Sequence, residues 1–168
     1  MSMVAALVEE LETEGKTTRR VLERVPQDKL TWKPHPKSMS LGYLALHVAS
    51  SPGAVCSWAK DDVKEFTGEK QPDPSSVAEI LAAHDKSIST VKEVLGKLGD
   101  DGLMKNWQAK AGGATLMAMP KAALVRAIVL NHWYHHRGQL SVYLRLLDVP
   151  VPSIYGPSAD ENPFAART

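Results

Sequence analysis

The sequence predicts an all-α protein, folded as a four-helix bundle with short irregular insertions and a C-terminal tail. Four segments repeat apolar residues at the three- and four-residue spacing of amphipathic helices. Proline-containing polar stretches separate these segments and favour ordered loops. A chain of 168 residues is close to the usual size of one domain, so we expect a single domain spanning residues 1–168.

The first helix is predicted between Val4 and Val25, where apolar residues recur at helical spacing and Pro26 provides a stop. Residues 27–40 contain two prolines and predict an ordered loop. Trp32, within this loop, is expected to anchor it against the bundle.

The second helix is expected to begin after Ser40, which is a suitable N-cap residue. Its apolar stripe runs through Trp58, and we expect the helix to end near residues 66–68. Pro52 and Gly53 lie inside the stripe and predict a kink or a local break.

The third helix follows Ser75 or Ser76 as cap and covers a heptad-like apolar seam from Val77 to Leu98. Residues 99–119 show no sustained helical pattern. Within them, the small residues 111–114 favour the turn of a short hairpin.

The last helix is predicted from Pro120 to Leu147, because proline is favoured at a first helical position and more prolines follow the end. Residues 149–168 form the tail. We expect the tail to pack across the surface through Ile154, Tyr155 and Phe164.

Charge and cysteine content exclude several classes of function. The 20 basic and 19 acidic side chains are interspersed, so neither nucleic acid nor an anionic membrane is indicated as a partner. Cys56 is the only cysteine and cannot form an internal disulfide. Glu9 and Glu10 interrupt the first apolar stretch before an export signal could develop. A reducing cytoplasm is the expected compartment.

Two of the six histidines, His132 and His136, are four residues apart on the predicted last helix. This spacing places both imidazoles on one face, which suits two ligands of one metal ion. Both continue a stripe at steps of four that is otherwise aliphatic (Leu124, Ile128, Leu140 and Leu144). Buried imidazoles without partners are costly, and a metal would resolve the conflict. The alternative is that each imidazole bonds a nearby hydroxyl or carbonyl group.

A third histidine favours the metal interpretation. His47 lies three residues after Leu44 and beside Val48, so it faces inward from the second helix. Together with His132 and His136 it would form a three-nitrogen face. Three protein ligands leave at least one coordination position open, which is typical of a catalytic rather than a structural site.

Three segments resemble the DinB superfamily over essentially the full chain. They are Trp-Lys-Pro at 32–34, Ser-Leu-Gly-Tyr-Leu-Ala-Leu-His at 40–47 and Asn-His-Trp-Tyr-His-His-Arg-Gly-Gln-Leu at 131–140. The resemblance implies an up-down-down-up four-helix bundle, often a homodimer, that binds zinc or nickel through His47, His132 and His136. It also implies a relationship to thiol-dependent S-transferases and maleylpyruvate isomerases. Many family members have no assigned reaction.

Four further residues are candidates for substrate binding. His84 lies in the third-helix seam and is a fourth ligand, a proton carrier or, as we favour, a hydrogen-bonded core residue. Gln139 lies nearly in line with His132 and either bonds a ligand imidazole or adds polarity to the core. Tyr43 and Tyr155 either line a pocket or, as we favour, cover the core or a dimer surface.

The residues are compatible with three kinds of function. The first is a metal-dependent transferase or hydrolase, in which an open metal site activates water or a low-molecular-weight thiol to attack a small-molecule substrate. The second is a protein that binds a metal or a small molecule without turnover. The third is a purely structural dimerisation module, which would predict that the three histidines do not meet.

Overall fold

Four helical regions dominate the computed structural model, which describes residues 2–68 and 71–165. The first three are α1, Met3–Leu22; α2, Leu41–Trp58; and α3, Val77–Leu103. The last region consists of α4, Lys121–Leu124, a π-helical segment, Val125–Asn131, and α5, His132–Leu146. We call residues 121–146 the last helix. None of the helices among the described residues combines the length and apolarity needed to cross a membrane.

The loop between α1 and α2 is ordered, as predicted. After a short 3₁₀ turn at Gln27–Lys29, Trp32 packs edge-on against Tyr143 of α5, with ring centroids 5.8 Å apart. The Ser40 hydroxyl then accepts a hydrogen bond from the backbone N–H of Tyr43, which caps α2. The loop therefore links the beginning of α2 to the C-terminal half of α5.

The second helix ends at Trp58, earlier than the expected end near residues 66–68. Val63–Glu65 form a strand, β1, which lies parallel to a later strand. A three-residue strand is too short to show an alternating pattern that could be distinguished from a fraying helix. The sequence-based helix boundary was wrong here.

Residues 99–120 supply the predicted hairpin. Strands β2, Asn106–Ala111, and β3, Ala114–Pro120, are antiparallel and joined through Gly112 and Gly113. Both glycines have positive φ angles, 55° and 81°, which a two-residue turn of this hand requires. With β1 the hairpin makes a small mixed sheet in the order β1-β2-β3. The protein is mostly helical, but the all-α expectation missed this sheet.

Helix α3 is capped by Ser76 and continues to Leu103, past the predicted end at Leu98. Gly99, with φ 62°, interrupts its helical geometry. The side chains that α3 buries most deeply include two polar ones. The buried residues are Ile80, His84, Ser87, Val91, Val94, Leu95, Gly102 and Leu103.

Helices α2 and α3 approach each other closely at Gly53. Its backbone N–H donates a 2.7 Å hydrogen bond to the buried Ser87 hydroxyl. A Cβ atom at this position would lie 2.8 Å from the Ser87 Cα, so only glycine fits without a shift of backbone. The helices α1 and α3 are also neighbours, through the ion pairs of Arg19 with Asp85 and of Lys92 with Glu12.

Pro52 lies inside α2 and explains how α2 is attached to α5. Proline has no N–H group, so the carbonyl four residues earlier, at Val48, lacks its helical donor. The indole N–H of Trp133, a fully buried side chain on α5, donates to this carbonyl at 2.8 Å. His47 precedes Val48, and His132 precedes Trp133. The hydrogen bond therefore fixes the two histidine-bearing segments side by side.

This contact gives a first testable prediction. We expect Trp133→Phe to lower the free energy of unfolding by about 1–3 kcal/mol, because the Val48 carbonyl then stays buried without a donor. In a Pro52→Ala background the helix supplies its own N–H, and the same substitution should cost less. Chemical denaturation of the four proteins gives the coupling energy. Equal costs in both backgrounds would contradict this explanation.

The tail is attached mainly by ion pairs rather than by aromatic packing. Asp160 pairs with Arg145 and accepts the backbone N–H of Val151, and Glu161 pairs with Arg20. Of the three side chains expected to pack, only Ile154 reaches the core. Tyr155 lies at the surface, 70% exposed, and contacts Tyr134 and Arg137 of the last helix, as expected. Phe164 is 78% exposed, so the expectation for this residue was wrong.

Candidate metal centre

Three imidazoles meet between α2 and α5. His47 comes from α2, and His132 and His136 from successive turns of α5. Each offers one ring nitrogen, and the three nitrogens lie within 4.8 Å of one another. The ring centroids of His132 and His136 lie 4.3 Å apart, and those of His47 and His136 lie 4.5 Å apart. The arrangement is compact enough for the three imidazoles to share one ion.

The two imidazoles from α5 face each other through their Nε2 atoms, which are 3.0 Å apart. Two nitrogens that each lie 2.0–2.1 Å from one ion are separated by roughly 3.0–3.4 Å at the usual coordination angles. The separation observed here is therefore of the size that two ligands of one ion require. His136 is 8% exposed, while His47 and His132 are half-buried.

Gln139 determines which nitrogen of His136 is available. Its side-chain oxygen accepts a hydrogen bond from Nδ1 of His136 at 2.7 Å. The proton then resides on Nδ1 and leaves a lone pair on Nε2, directed at His132. The amide nitrogen of Gln139 donates to His135, an exposed residue that lies outside the cluster. Of the two roles considered for Gln139, the structure shows the bond to an imidazole.

Two nitrogens of the cluster are buried without a hydrogen-bond partner, Nε2 of His47 and Nδ1 of His132. Leaving such a group unsatisfied costs about 1–3 kcal/mol. A cation accepting the lone pair of His47 would remove part of this cost. The cluster therefore fits a bound metal better than it fits three hydrogen-bonded core histidines.

Burial keeps the three imidazoles neutral. Desolvation, together with the nearby imidazoles His136 and His132, lowers the pKa of His47 to about 4. Desolvation is also the main cause that lowers the pKa of His132 and of His136. At neutral pH the lone pairs are free, so a cation can bind without first displacing protons.

The positively charged side chain of Arg137, which follows His136 in the sequence, is buried. The Arg137 side chain is 1% exposed and pairs with Glu14 of α1 at 2.6 Å. Its remaining N–H groups donate to the Thr18 hydroxyl at 3.0 Å and to the Tyr155 hydroxyl at 2.6 Å. This network attaches α5 to α1. Sequence reasoning noted Arg137 only as part of a motif and assigned it no partner.

The other candidate residues have different neighbours. His84 is 3% exposed and contacts Asp85 on the side of α3 that faces α1, where it lines a cleft with Gly15 and Arg19. Its Nε2 atom is buried without a partner, so it is not the fully hydrogen-bonded core residue that we favoured. His84 does not belong to the three-histidine group.

The two tyrosines lie at different places. Tyr43 is one turn before His47 on α2 and lines a surface cavity with Lys33, Lys37 and Asp73. Tyr155 contacts Arg137 and donates to Glu14, so its contacts are with the α1 side of the last helix. The lining residues of the cavity beside Tyr43 do not include the three histidines.

Comparisons with known proteins agree with this fold. The sequence model of the DinB family matches residues 1–163. A curated protein of Bacillus subtilis (strain 168), named Uncharacterized protein YrdA, is 25% identical over 150 residues, which cover 89% of this chain and 86% of that protein. A DinB-like protein from Bacillus cereus ATCC 10987 has a similar crystal structure, with a TM-score of 0.71 and 22% identity, covering 89% of this chain and 95% of the other.

A second solved structure gives the same result. It is a DinB-like protein, YjoA, from Bacillus subtilis, with a TM-score of 0.68 and 20% identity over 86% of this chain and 95% of that one. At these identities the structural matches establish the fold, and the family model establishes the relationship. The chain belongs to the DinB family.

Proposed function

We propose that this protein binds one divalent metal ion, zinc or nickel, through His47, His132 and His136. With this ion the protein acts as a metal-dependent thiol transferase or hydrolase. The observation that carries the proposal is the convergence of three neutral imidazoles, two nitrogens of which are buried without a partner. Three histidines hold a cation and leave part of its coordination sphere for a substrate. A bound ion of this kind lowers the pKa of a water to about 7, or keeps a bound thiol deprotonated.

The chain's own residues would supply position and selectivity. The hydrogen bond from Trp133 to Val48 holds α2 and α5 in register, and Gln139 orients His136. Tyr43 and Gln139 remain candidates for contact with a small-molecule substrate, since they lie one turn from His47 and His136 respectively. His84 and Tyr155 face other neighbours, and we give them no part in this site.

Metal content and thiol consumption together test the proposed function. Protein purified without a histidine tag should contain about one zinc or nickel ion per chain by elemental analysis. The loaded protein should then consume a low-molecular-weight thiol in the presence of an electrophile from a screening panel. A His47→Ala variant is the matched control, and we expect neither metal nor turnover from it. Turnover that persists in this variant would contradict the proposal.

A binding protein without turnover is the second candidate. Within the described part of the chain, the group that could hold a metal contains histidines only and no carboxylate to act as a general base. Stoichiometric metal without thiol or ester turnover would favour this candidate over the enzyme.

The role of Gln139 gives a prediction of its own. We expect Gln139→Leu to weaken metal affinity about 10–100-fold, because His136 loses the acceptor that fixes its tautomer. Gln139→Glu keeps an acceptor oxygen and should retain most of the affinity. Competition with a chromophoric chelator measures both variants. Equal affinity of Gln139→Leu and the wild type would show that the hydrogen bond is incidental.

Acid should weaken the site in two measurable ways. Because the folded-state pKa of His47 lies near 4, below its usual value, the unfolded chain binds more protons between about pH 6.5 and 4. His47 alone should therefore lower the unfolding free energy of the metal-free protein by at most about 2 kcal/mol between pH 6.5 and 5, and the lowered pKa values of His132 and His136 act in the same direction. Metal occupancy should fall in the same direction, since protons compete for the nitrogens.

Denaturation and elemental analysis across a pH series measure both effects. His47→Leu is the control, and its stability should depend less on pH in this interval. Occupancy that stays constant down to pH 4 would contradict a site built from histidines.

The remaining features of the proposal concern the architecture. Contacts of Glu10 with Tyr134 and of Thr18 with Arg137 run in the same chain direction, which supports parallel α1 and α5. The contacts of α2 with α5, and those of α3 with α1, run in opposite chain directions. Each of these two pairs is therefore antiparallel, which favours the up-down-down-up order.

We also propose one domain over residues 1–168, a homodimer and a cytoplasmic location.

A further inference from the structure

The loop before α2 places two lysines, Lys33 and Lys37, beside a surface cavity. The cavity has a volume of about 540 Å³ and lies where this loop meets the first turn of α2. Cavities of this size hold small molecules, and a few polar groups in the wall determine how the molecule is oriented. Besides the lysines, the wall contains the hydroxyl-bearing residues Thr31, Ser38 and Tyr43.

The charge of this cavity favours an anionic ligand. Lys33 and Lys37 are exposed, and neither forms an ion pair with another described residue, whereas Lys92 of α3 pairs with a glutamate. The carboxylate in the wall, that of Asp73, accepts a 3.1 Å hydrogen bond from the Ser40 hydroxyl. The described wall residues therefore carry two positive charges and one negative charge, and the excess positive charge attracts anions.

The loop backbone that carries the two lysines is ordered without a ligand. Pro34 and Pro36 restrict the backbone between the lysines. Just before them, the carbonyl of Trp32 accepts the N–H of Leu41 at 2.8 Å, and the Trp32 ring packs against Tyr143. A ligand that binds here does not have to order the loop, so less binding free energy is lost to entropy.

The cavity lies in line with the metal centre along both helices that carry the histidines. Tyr43, in the cavity wall, is one turn before His47 on the same face of α2. On α5, Tyr143 is two turns after His136, and its hydroxyl donates to the carbonyl of Met39, another wall residue, at 3.4 Å. Because α2 and α5 run in opposite directions, both steps lead from the metal centre to the cavity.

We infer that Lys33 and Lys37 bind a carboxylate of the substrate while the reactive group of the same molecule reaches the metal centre. The inference rests on the proposed function and names its substrate class, a small carboxylate. At 1.5 Å per residue, the steps of four and seven residues along the two helices span about 6 Å and 10 Å. The substrate therefore carries its carboxylate several bonds away from its reactive group.

Thiol binding to the protein loaded with cobalt tests the inference. A thiol that coordinates the metal is deprotonated, and the bond between thiolate and Co²⁺ gives a charge-transfer absorption band. The probe 6-mercaptohexanoate carries a thiol and a carboxylate at opposite ends, and 6-mercaptohexan-1-ol is its neutral analogue of similar length. We expect the carboxylate to bind about three- to tenfold more tightly at low ionic strength, because each exposed ion pair contributes modestly. Added salt should reduce the difference.

Substitution of both lysines should remove this preference. In the double variant Lys33→Gln/Lys37→Gln, the two probes should bind within about twofold of each other, and the affinity for the alcohol should stay near that of the wild type. Lys86→Gln is the matched control. Lys86 is also exposed and forms no ion pair with another described residue, but it lines a different cavity, between α2 and α3. Cobalt content and circular dichroism verify the metal centre and the fold of each variant.

The outcomes distinguish this inference from the proposed function. A wild type that takes up cobalt but binds both probes equally, or neither, contradicts only the inference. A preference that persists in the double variant, or that Lys86→Gln removes equally, contradicts it as well. Protein that takes up no cobalt contradicts the proposed metal centre and the inference with it. In the thiol-consumption screen, comparison of charged and neutral thiols, and of charged and neutral electrophiles, identifies which substrate carries the carboxylate.

Discussion

Replacement of His136 by alanine is expected to weaken metal affinity at least 100-fold while the helices remain folded. The substitution removes one of three nitrogens, and the two that remain, from His47 and His132, form an inadequate site. The fold should survive because the core consists mainly of aliphatic side chains on all the helices. The free energy of unfolding should fall by the amount that metal binding contributes to it.

The neighbouring histidine provides the control. His135→Ala removes an exposed imidazole from the adjacent position and should leave metal affinity within a few-fold of the wild type. Elemental analysis, chelator competition and far-ultraviolet circular dichroism of both variants decide the question. If His136 were only a packed core residue, His136→Ala would keep its metal and lose about 1–3 kcal/mol through a cavity and a missing hydrogen bond.

The largest loss of stability is expected from Glu14→Ala. This change leaves the Arg137 guanidinium buried without its carboxylate partner, and breaking such a pair costs about 3–5 kcal/mol. The hydroxyl groups of Thr18 and Tyr155 would remain as neutral acceptors, which cannot replace the charge.

An exposed glutamate on the same helix serves as the control. Glu9→Ala should change the unfolding free energy by no more than about 0.5 kcal/mol. Chemical denaturation measures both variants. A cost below about 1 kcal/mol for Glu14→Ala would mean that the network around Arg137 is accessible to water and not a structural link between α1 and α5.

Local signals allowed much of the fold to be predicted. Ser40 and Ser76 cap α2 and α3, and Gly112 and Gly113 turn the hairpin, as their residue types indicate. Strand β1 was missed because its three residues acquire their structure from pairing with β2, a contact remote in sequence.

The three-histidine group could also be predicted from a local signal. Histidines at a spacing of four on an otherwise aliphatic stripe are a local signal, and the three residues meet in the structure. The π-helical segment before His132 was not predicted, and it changes which positions of the last helix are buried. Val129 and Trp133 are buried, whereas Ile128 and His132 of the expected stripe are only half-buried.

Partners far apart in sequence could not be predicted. The hydrogen bond from Trp133 to the Val48 carbonyl, which Pro52 leaves without a helical donor, joins residues 85 positions apart. The ion pair of Arg137 with Glu14 joins opposite ends of the chain. Periodicity within one helix carries no information about either contact. Both contacts nevertheless position the helix that carries two of the three histidines.

X-ray absorption spectroscopy at the metal edge tests the central claim most directly, because it counts and identifies the ligands of the bound ion in solution. For the wild type loaded with zinc we expect three imidazole nitrogens at about 2.0–2.1 Å, with a water molecule or another exogenous ligand in the remaining position. His132→Ala, measured in parallel, should lose the three-imidazole signature. A wild-type spectrum with fewer than three imidazoles, or protein that takes up no metal, would contradict the proposed centre.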